Sequence, residues 1–88
     1  MSRFIKIKMQ TKLTLAELVK TVNYIFETGE DLNESSDLSL YIKDSIDLGE
    51  LLAVIKNEHK IEPQNKELFR KYKTLGDILK VINNEITE

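Results

Sequence analysis

Residues 42–55 read IKDSIDLGELLAVI and join a long polar run to a strongly apolar helical pattern. Asp44 is a good N-cap, because a carboxylate there accepts hydrogen bonds from the first free N–H groups of a helix. Asp47, in the first turn, suits the positive end of the helix dipole. Ser45 therefore occupies the first helical position, where capping is not its role. It is either an ordinary surface serine or a hydroxyl that another molecule must reach.

The spacing of apolar residues predicts helices on both sides of this segment. Helix 1 spans about residues 15–28, since Thr14 and Glu17 have the spacing of a capping box and Gly29 suits a helix end. The helix that begins at Ser45 ends near residue 59, before a proline that cannot continue it. The expected core consists of Leu15, Leu18, Val22, Ile25, Leu51, Leu52, Ile55, Leu68, Ile78 and Ile82.

The remaining segments complete the expected architecture. A short helix is predicted across residues 65–72 and a last helix from Thr74 through Ile86. Residues 30–43 lack helical periodicity and form a long loop, which in so small a domain is usually functional or disordered. The expected fold class is all-α: a small four-helix bundle of three longer helices and one short helix, with the long loop between helices 1 and 2.

The N-terminus has a different pattern. Residues 4–10, FIKIKMQ, alternate apolar and polar side chains as a strand does, but no partner strand is predicted. We therefore expect an N-terminal extension at residues 1–12 and one domain at residues 13–88.

The composition excludes several function classes. The 88-residue chain has no cysteine, which removes disulfides, thiolate metal sites and thiol nucleophiles. No apolar run is long enough to span a membrane, and charges interrupt the apolar part of the first ten residues. We expect neither a membrane span nor a secretory signal, and the cytoplasm is the expected location.

Charge is unevenly distributed, although the formal net charge is only −2. Acids accumulate between residues 27 and 37, whereas residues 66–73 are basic, with Glu67 as their only acid. A nucleic-acid-binding protein would show a broader basic excess, so no nucleic-acid partner is expected. The charged segments are solvated faces or docking surfaces for a charged protein.

The chain lacks the residues that catalysis and metal binding need. His59 is the only histidine and lies at the far end of the helix that starts at Ser45, about 20 Å away, which argues against a Ser-His-Asp site. The acids of residues 27–37 lack the spacing and central glycine of a calcium-binding EF-hand loop. We therefore expect neither an enzyme nor a metal site.

The start of helix 2 resembles a known family. Residues 44–47 read DSID and are followed by Glu50, Leu51 and Leu52. This pattern resembles the D-S-L/I-D-x-x-E-L signature of the acyl carrier protein family. The order of predicted elements is similar as well, and residues 74–82, TLGDILKVI, resemble the family's threonine-capped last helix. The resemblance covers about residues 13–86.

The resemblance implies a function. In that family the serine receives 4′-phosphopantetheine from coenzyme A, and the thiol of this arm carries acyl groups as thioesters; Ser45 is the matching position. The chain would then be a non-catalytic acyl carrier for fatty-acid, polyketide or related specialised biosynthesis. Its partners would be a phosphopantetheinyl transferase (holo-carrier synthase) and the acyl-transferring and acyl-condensing enzymes, and we expect a monomer.

The resemblance also implies roles for residues around the serine. Asp44, Asp47 and Glu50 would pair with Arg and Lys residues of a partner enzyme, since complementary charges guide docking. The family shelters the growing acyl chain between helices 2 and 3. The residues that would lie near this chain are Leu52, Ile55 and Leu68.

Three features depart from the family pattern. Ile42 stands where the family usually has a small residue, and Gly49 replaces the usual valine. Late in helix 2, where fatty-acid carriers are strongly acidic, this chain has Lys56 and then Lys60. These departures favour a specialised carrier from a secondary pathway. Two alternatives stay open: a helical protein-interaction module that lost the modification, and a carrier of aminoacyl or D-alanyl units.

Overall fold

The computed structural model describes residues 12–86 of the chain. These residues form three α-helices, which are α1 (Leu15–Phe26), α2 (Ser45–His59) and α3 (Leu75–Ile82). Two short 3₁₀ helices, Leu38–Leu40 and Lys66–Arg70, lie in the connections. The described part of the chain is thus a small helical domain without strands. The strand-like pattern of residues 4–10 lies outside the described residues, and the domain boundary after residue 12 stays a prediction.

α1 begins where the capping box predicts. Thr14 Oγ1 accepts a hydrogen bond of 3.2 Å from Glu17 N, and Glu17 Oε1 accepts one of 3.0 Å from Thr14 N. The helix ends at Phe26, slightly earlier than predicted. Glu27 adopts the left-handed conformation, with φ 50°, and donates its N–H to Asn23 O. A left-handed residue at this position ends the helix, so the helix ends before Gly29.

The two remaining predicted helices differ from expectation in detail. The short helix across residues 65–72 is a 3₁₀ helix, capped by Asn65, whose Oδ1 accepts a hydrogen bond of 3.1 Å from Glu67 N. α3 is capped by Thr74 as predicted, but it ends at Ile82. Ile86, which was predicted to continue its apolar face, is half-buried beyond the helix end.

The helices enclose one apolar core. α1 packs against both α2 and α3, and the second 3₁₀ helix packs against α3. Of the predicted core residues, Leu15 and Ile25 are only partly buried at its margin. The buried core consists of Leu13, Leu18, Val22, Leu38, Leu51, Leu52, Ile55, Ile61, Leu68, Phe69, Leu75, Ile78, Val81 and Ile82.

Backbone hydrogen bonds attach the long loop between α1 and α2 to the start of α3. Two of them satisfy first-turn N–H groups of α3, which have no partner within their own helix. The bonds join Leu38 N to Lys73 O at 2.9 Å, Leu75 N to Ser36 O at 2.8 Å, and Gly76 N to Glu34 O at 2.9 Å. The attached loop buries Leu38 completely, whereas Leu40 remains 72% exposed.

Two adjacent asparagines fasten the end of α3 to distant segments. Asn83 accepts a hydrogen bond of 2.7 Å from Leu13 N and donates one of 2.9 Å to Leu13 O. Asn84 accepts one of 2.8 Å from Gln64 N and donates one of 3.3 Å to Glu62 O. The start of α1 and the segment after α2 are therefore both held at the same end of the domain.

Truncation of the buried face of α2 tests this core. Leu51→Ala should lower the free energy of unfolding by about 2–5 kcal/mol, because the side chain is fully buried. Leu40→Ala makes the same chemical change on an exposed side chain and should change it by no more than about 0.5 kcal/mol. Urea unfolding measures both. If Leu51→Ala unfolds at the wild-type midpoint, the buried face of α2 is wrongly assigned.

Candidate functional site

Two aspartates fix the backbone at the start of α2. Asp44 Oδ1 accepts hydrogen bonds of 3.0 Å from both Ile46 N and Asp47 N. Asp47 Oδ2 accepts one of 3.0 Å from Lys43 N, in the residue that precedes the cap. The predicted N-cap is therefore confirmed, and Asp47 adds a second bond that holds the chain entering the helix. Ser45 lies between these two acids in a well-fixed first turn.

The Ser45 side chain is exposed. Its hydroxyl makes no hydrogen bond to any part of the chain that the structure describes, because Asp44 supplies the cap. Two apolar side chains nearby in sequence are also exposed, Ile46 at 77% and Leu40 at 72%. The first turn of α2 thus presents a hydroxyl beside apolar surface.

Ser45 also lines a cleft between α2 and the second 3₁₀ helix. The cleft has a volume of about 720 Å³, within the range of small-molecule sites, roughly 300–1,000 Å³. Its apolar lining comes from both 3₁₀ helices, α2, α3 and the loop. These apolar residues are Leu38, Ile42, Leu48, Leu52, Ala53, Phe69 and Ile78.

The predicted acyl-pocket residues are placed differently from one another. Leu52 lines the cleft, while Ile55 and Leu68 are buried in the core and are not among its lining residues. Phe69 faces the cleft instead of its neighbour. The resemblance did not distinguish Leu68 from Phe69, two neighbours in a 3₁₀ helix whose side chains point in different directions because such a helix has three residues per turn.

Ionic side chains surround the apolar lining. Five cationic and three anionic residues line the cleft. Lys56 Nζ lies 3.5 Å from Glu62 Oε1, and Arg70 Nε lies 3.6 Å from Glu67 Oε1. The basic run at residues 66–73 was visible in the sequence. The position of this run opposite the start of α2 was not visible in the sequence, because only the fold brings residues 66–73 and the start of α2 together.

The other predicted partner-binding acid lies further along α2. Glu50 is exposed and forms no ion pair within residues 12–86. The three acids therefore differ: Asp44 and Asp47 hold the helix start, while Glu50 has no such structural contact.

A further acid organises the loop that leads to the site. Asp37 caps the first 3₁₀ helix by accepting a hydrogen bond of 2.8 Å from Ser39 N. This bond, followed by one from the Ser39 hydroxyl and the charge of Lys73, holds the pKa of Asp37 below its ordinary value, although desolvation opposes the shift. The stability that this cap contributes is present above the usual aspartate pKa and is lost as the pH falls through the lowered one.

His59 occupies the opposite end of α2. Its Nδ1 lies 3.8 Å from Glu17 Oε2 on α1, so it connects two helices far from Ser45. In the part of the chain that the structure describes, no group of three or more acidic or histidine side chains is placed to hold a metal ion. None of the helices in this part is both long and apolar enough to cross a membrane.

Comparisons with known proteins add no family assignment. No family model matches the chain, and neither a curated protein nor a solved structure matches it. The resemblance to acyl carrier proteins therefore rests on residues 44–52, on residues 74–82 and on the order of the helices.

Paired substitutions at the start of α2 test the division of roles between its residues. Asp44→Ala should lower the free energy of unfolding by about 1 kcal/mol, the usual loss for an N-cap. Asp44→Asn should keep most of the wild-type stability, because asparagine is also a good N-cap. Ser45→Ala should change it by no more than about 0.5 kcal/mol, because the hydroxyl makes no cap. Thermal or urea unfolding measures these differences. A larger loss for Ser45→Ala than for Asp44→Ala would reverse the assignment.

Proposed function

We propose that the protein is an acyl carrier protein whose 4′-phosphopantetheine arm, derived from coenzyme A, is attached to Ser45. The observation that carries this proposal is the exposed Ser45, which lies beside an apolar cleft in a first turn that Asp44 caps and Asp47 holds by a further hydrogen bond. A serine that only stabilised the helix would direct its hydroxyl to the backbone, which Asp44 already caps.

The order of elements supports the same proposal. The chain runs from a capped helix through a long loop to the serine-bearing helix, then through a short helical turn to a threonine-capped closing helix. We propose that this arrangement is the acyl-carrier fold, with the 3₁₀ helix Lys66–Arg70 in the place of the family's short third helix.

The chemistry of the chain fits a carrier rather than a catalyst. Ser45 has no histidine beside it, since His59 is at the other end of α2. The hydroxyl must therefore be activated by groups of another enzyme, as the substrate of a transferase is. The arm would supply the thiol on which acyl groups are held as thioesters, and the chain contains no cysteine of its own.

The surface beside Ser45 suits docking of such enzymes. Ile46 offers apolar contact, and Glu50 offers a charge without a structural contact. We propose that a phosphopantetheinyl transferase and the acyl-transferring and acyl-condensing enzymes bind here, and that the carrier acts as a cytoplasmic monomer.

Intact-mass measurement tests the modification. Incubation with coenzyme A, Mg²⁺ and a broad-specificity phosphopantetheinyl transferase should add the mass of one phosphopantetheine to the wild-type chain and none to Ser45→Ala. Ser39→Ala is the matched control, because it removes a hydroxyl from the same cleft lining, and it should be modified fully.

Two results would contradict the proposal. If the wild-type chain gains no mass, the protein is better described as an interaction module without the arm. If Ser45→Ala is still modified, the attachment site is elsewhere. A positive result leaves one alternative, an aminoacyl or D-alanyl carrier, which is recognised by finding the adenylating enzyme that loads the thiol.

Docking through charge makes a separate prediction. Glu50→Gln should slow modification by the transferase without changing the free energy of unfolding, because Glu50 does not take part in the cap. Added salt should slow the wild-type reaction by screening the same attraction. Initial rates at several salt concentrations measure both effects. Rates that respond to neither change would show that apolar contacts at Ile46 govern docking.

A further inference from the structure

The cleft beside Ser45 combines an apolar interior with an excess of positive charge. Its cations come from opposite sides. One side is α2 with the residue before its N-cap, and the other is the second 3₁₀ helix with the segment after it. The cationic residues are Lys43, Lys56, Lys66, Arg70 and Lys73, and the anionic ones are Asp44, Glu62 and Glu67.

Part of this charge is already neutralised within the protein. Lys56 pairs with Glu62, and Arg70 pairs with Glu67. Lys43 and Lys66, in contrast, form no ion pair within residues 12–86. Both are exposed, and each belongs to a different side of the cleft. The fifth cation, Lys73, acts on Asp37, whose pKa its charge helps to lower. The charges of Lys43 and Lys66 thus remain available to a bound anion.

The shape of the site favours a small amphiphile over a protein segment. The cleft is concave and has the volume of a small-molecule site. Its apolar lining includes the buried residues Leu52 and Phe69. Binding of an aliphatic chain to this lining would be favourable, because it removes apolar surface from water. A purely aliphatic chain would, however, leave the two lysines without a counter-charge.

We propose that the cleft binds an aliphatic acyl chain that ends in a carboxylate, with the chain on the apolar lining and the carboxylate near Lys43 or Lys66. Given the carrier function proposed above, the cargo then belongs to acyl groups derived from dicarboxylic acids. Lys43 and Lys66 then have a role in cargo selection.

Two soluble probes of equal chain length test this site on the unmodified full chain. Monomethyl octanedioate carries one carboxylate and one neutral ester, whereas dimethyl octanedioate is neutral at both ends. Backbone amide shifts followed by NMR report the affinity and the location. The monoester should bind about three- to tenfold more tightly, since each exposed ion pair contributes little. Its binding should shift the amides of residues 66–70, and about 1 M salt should remove the preference.

Charge-neutralising variants identify the residues responsible. The double variant Lys43→Gln and Lys66→Gln should bind the two esters equally, with an unchanged urea midpoint. Lys80→Gln removes an exposed lysine from α3 that does not line the cleft, and it should keep the wild-type preference. Equal binding of both esters to the wild type would overturn the proposal, as would shifts outside the cleft, or no binding of either ester. A preference that survives in the double variant would overturn the assignment to these lysines.

The result is independent of the modification test. A chain that is modified at Ser45 but shows no preference for the monoester is a carrier with a different cargo. A chain that prefers the monoester but is never modified has the anion-selective cleft without the carrier function.

Discussion

The backbone hydrogen bonds between the long loop and the first turn of α3 determine where the candidate site lies. A helix begins with N–H groups that have no internal partner, and here the carbonyls of Glu34 and Ser36 accept two of them. Gly76 permits this approach, because a Cβ at that position would lie 3.1 Å from both Glu34 Cβ and Glu34 O. With the loop fixed there, Leu38 enters the core and the chain arrives at Asp44 beside the second 3₁₀ helix. The loop, the start of α2 and the second 3₁₀ helix then line one cleft.

Local patterns predicted the helices well, because their causes are local. The capping box at Thr14 and the N-caps at Asp44 and Thr74 are formed by residues two or three positions apart, so sequence spacing is sufficient to find them. The contacts that join distant segments were not predictable in this way. The hydrogen bonds of Asn83 and Asn84 join residues that are 70 and 20 positions apart in the sequence. The residues that flank an asparagine in the sequence do not indicate such a distant partner.

The candidate site, too, was predicted only where its causes are local in sequence. The exposure of Ser45 followed from the assignment of the cap to Asp44. Which of Leu38 and Leu40 would be buried did not follow, because both lie in one three-residue 3₁₀ turn and the attachment to α3 decides it. The cationic side of the cleft was visible only as a basic run. The contribution of this run to the cleft depends on the fold, which places Lys66 and Lys43 along the same cleft.

Gly49 connects the stability of α2 to the cleft. A glycine inside a helix costs about 1 kcal/mol relative to alanine, and nothing in the backbone requires one here, since Gly49 is not among the residues with positive φ. Crowding does not require it either, because a Cβ at position 49 would meet no atom within 4 Å. Gly49 does line the cleft, one helical turn after Ser45. A larger side chain there would occupy space beside the hydroxyl. Under the proposed carrier function, Gly49 leaves a chain attached at Ser45 more room in the cleft than the valine that is usual in the family would leave.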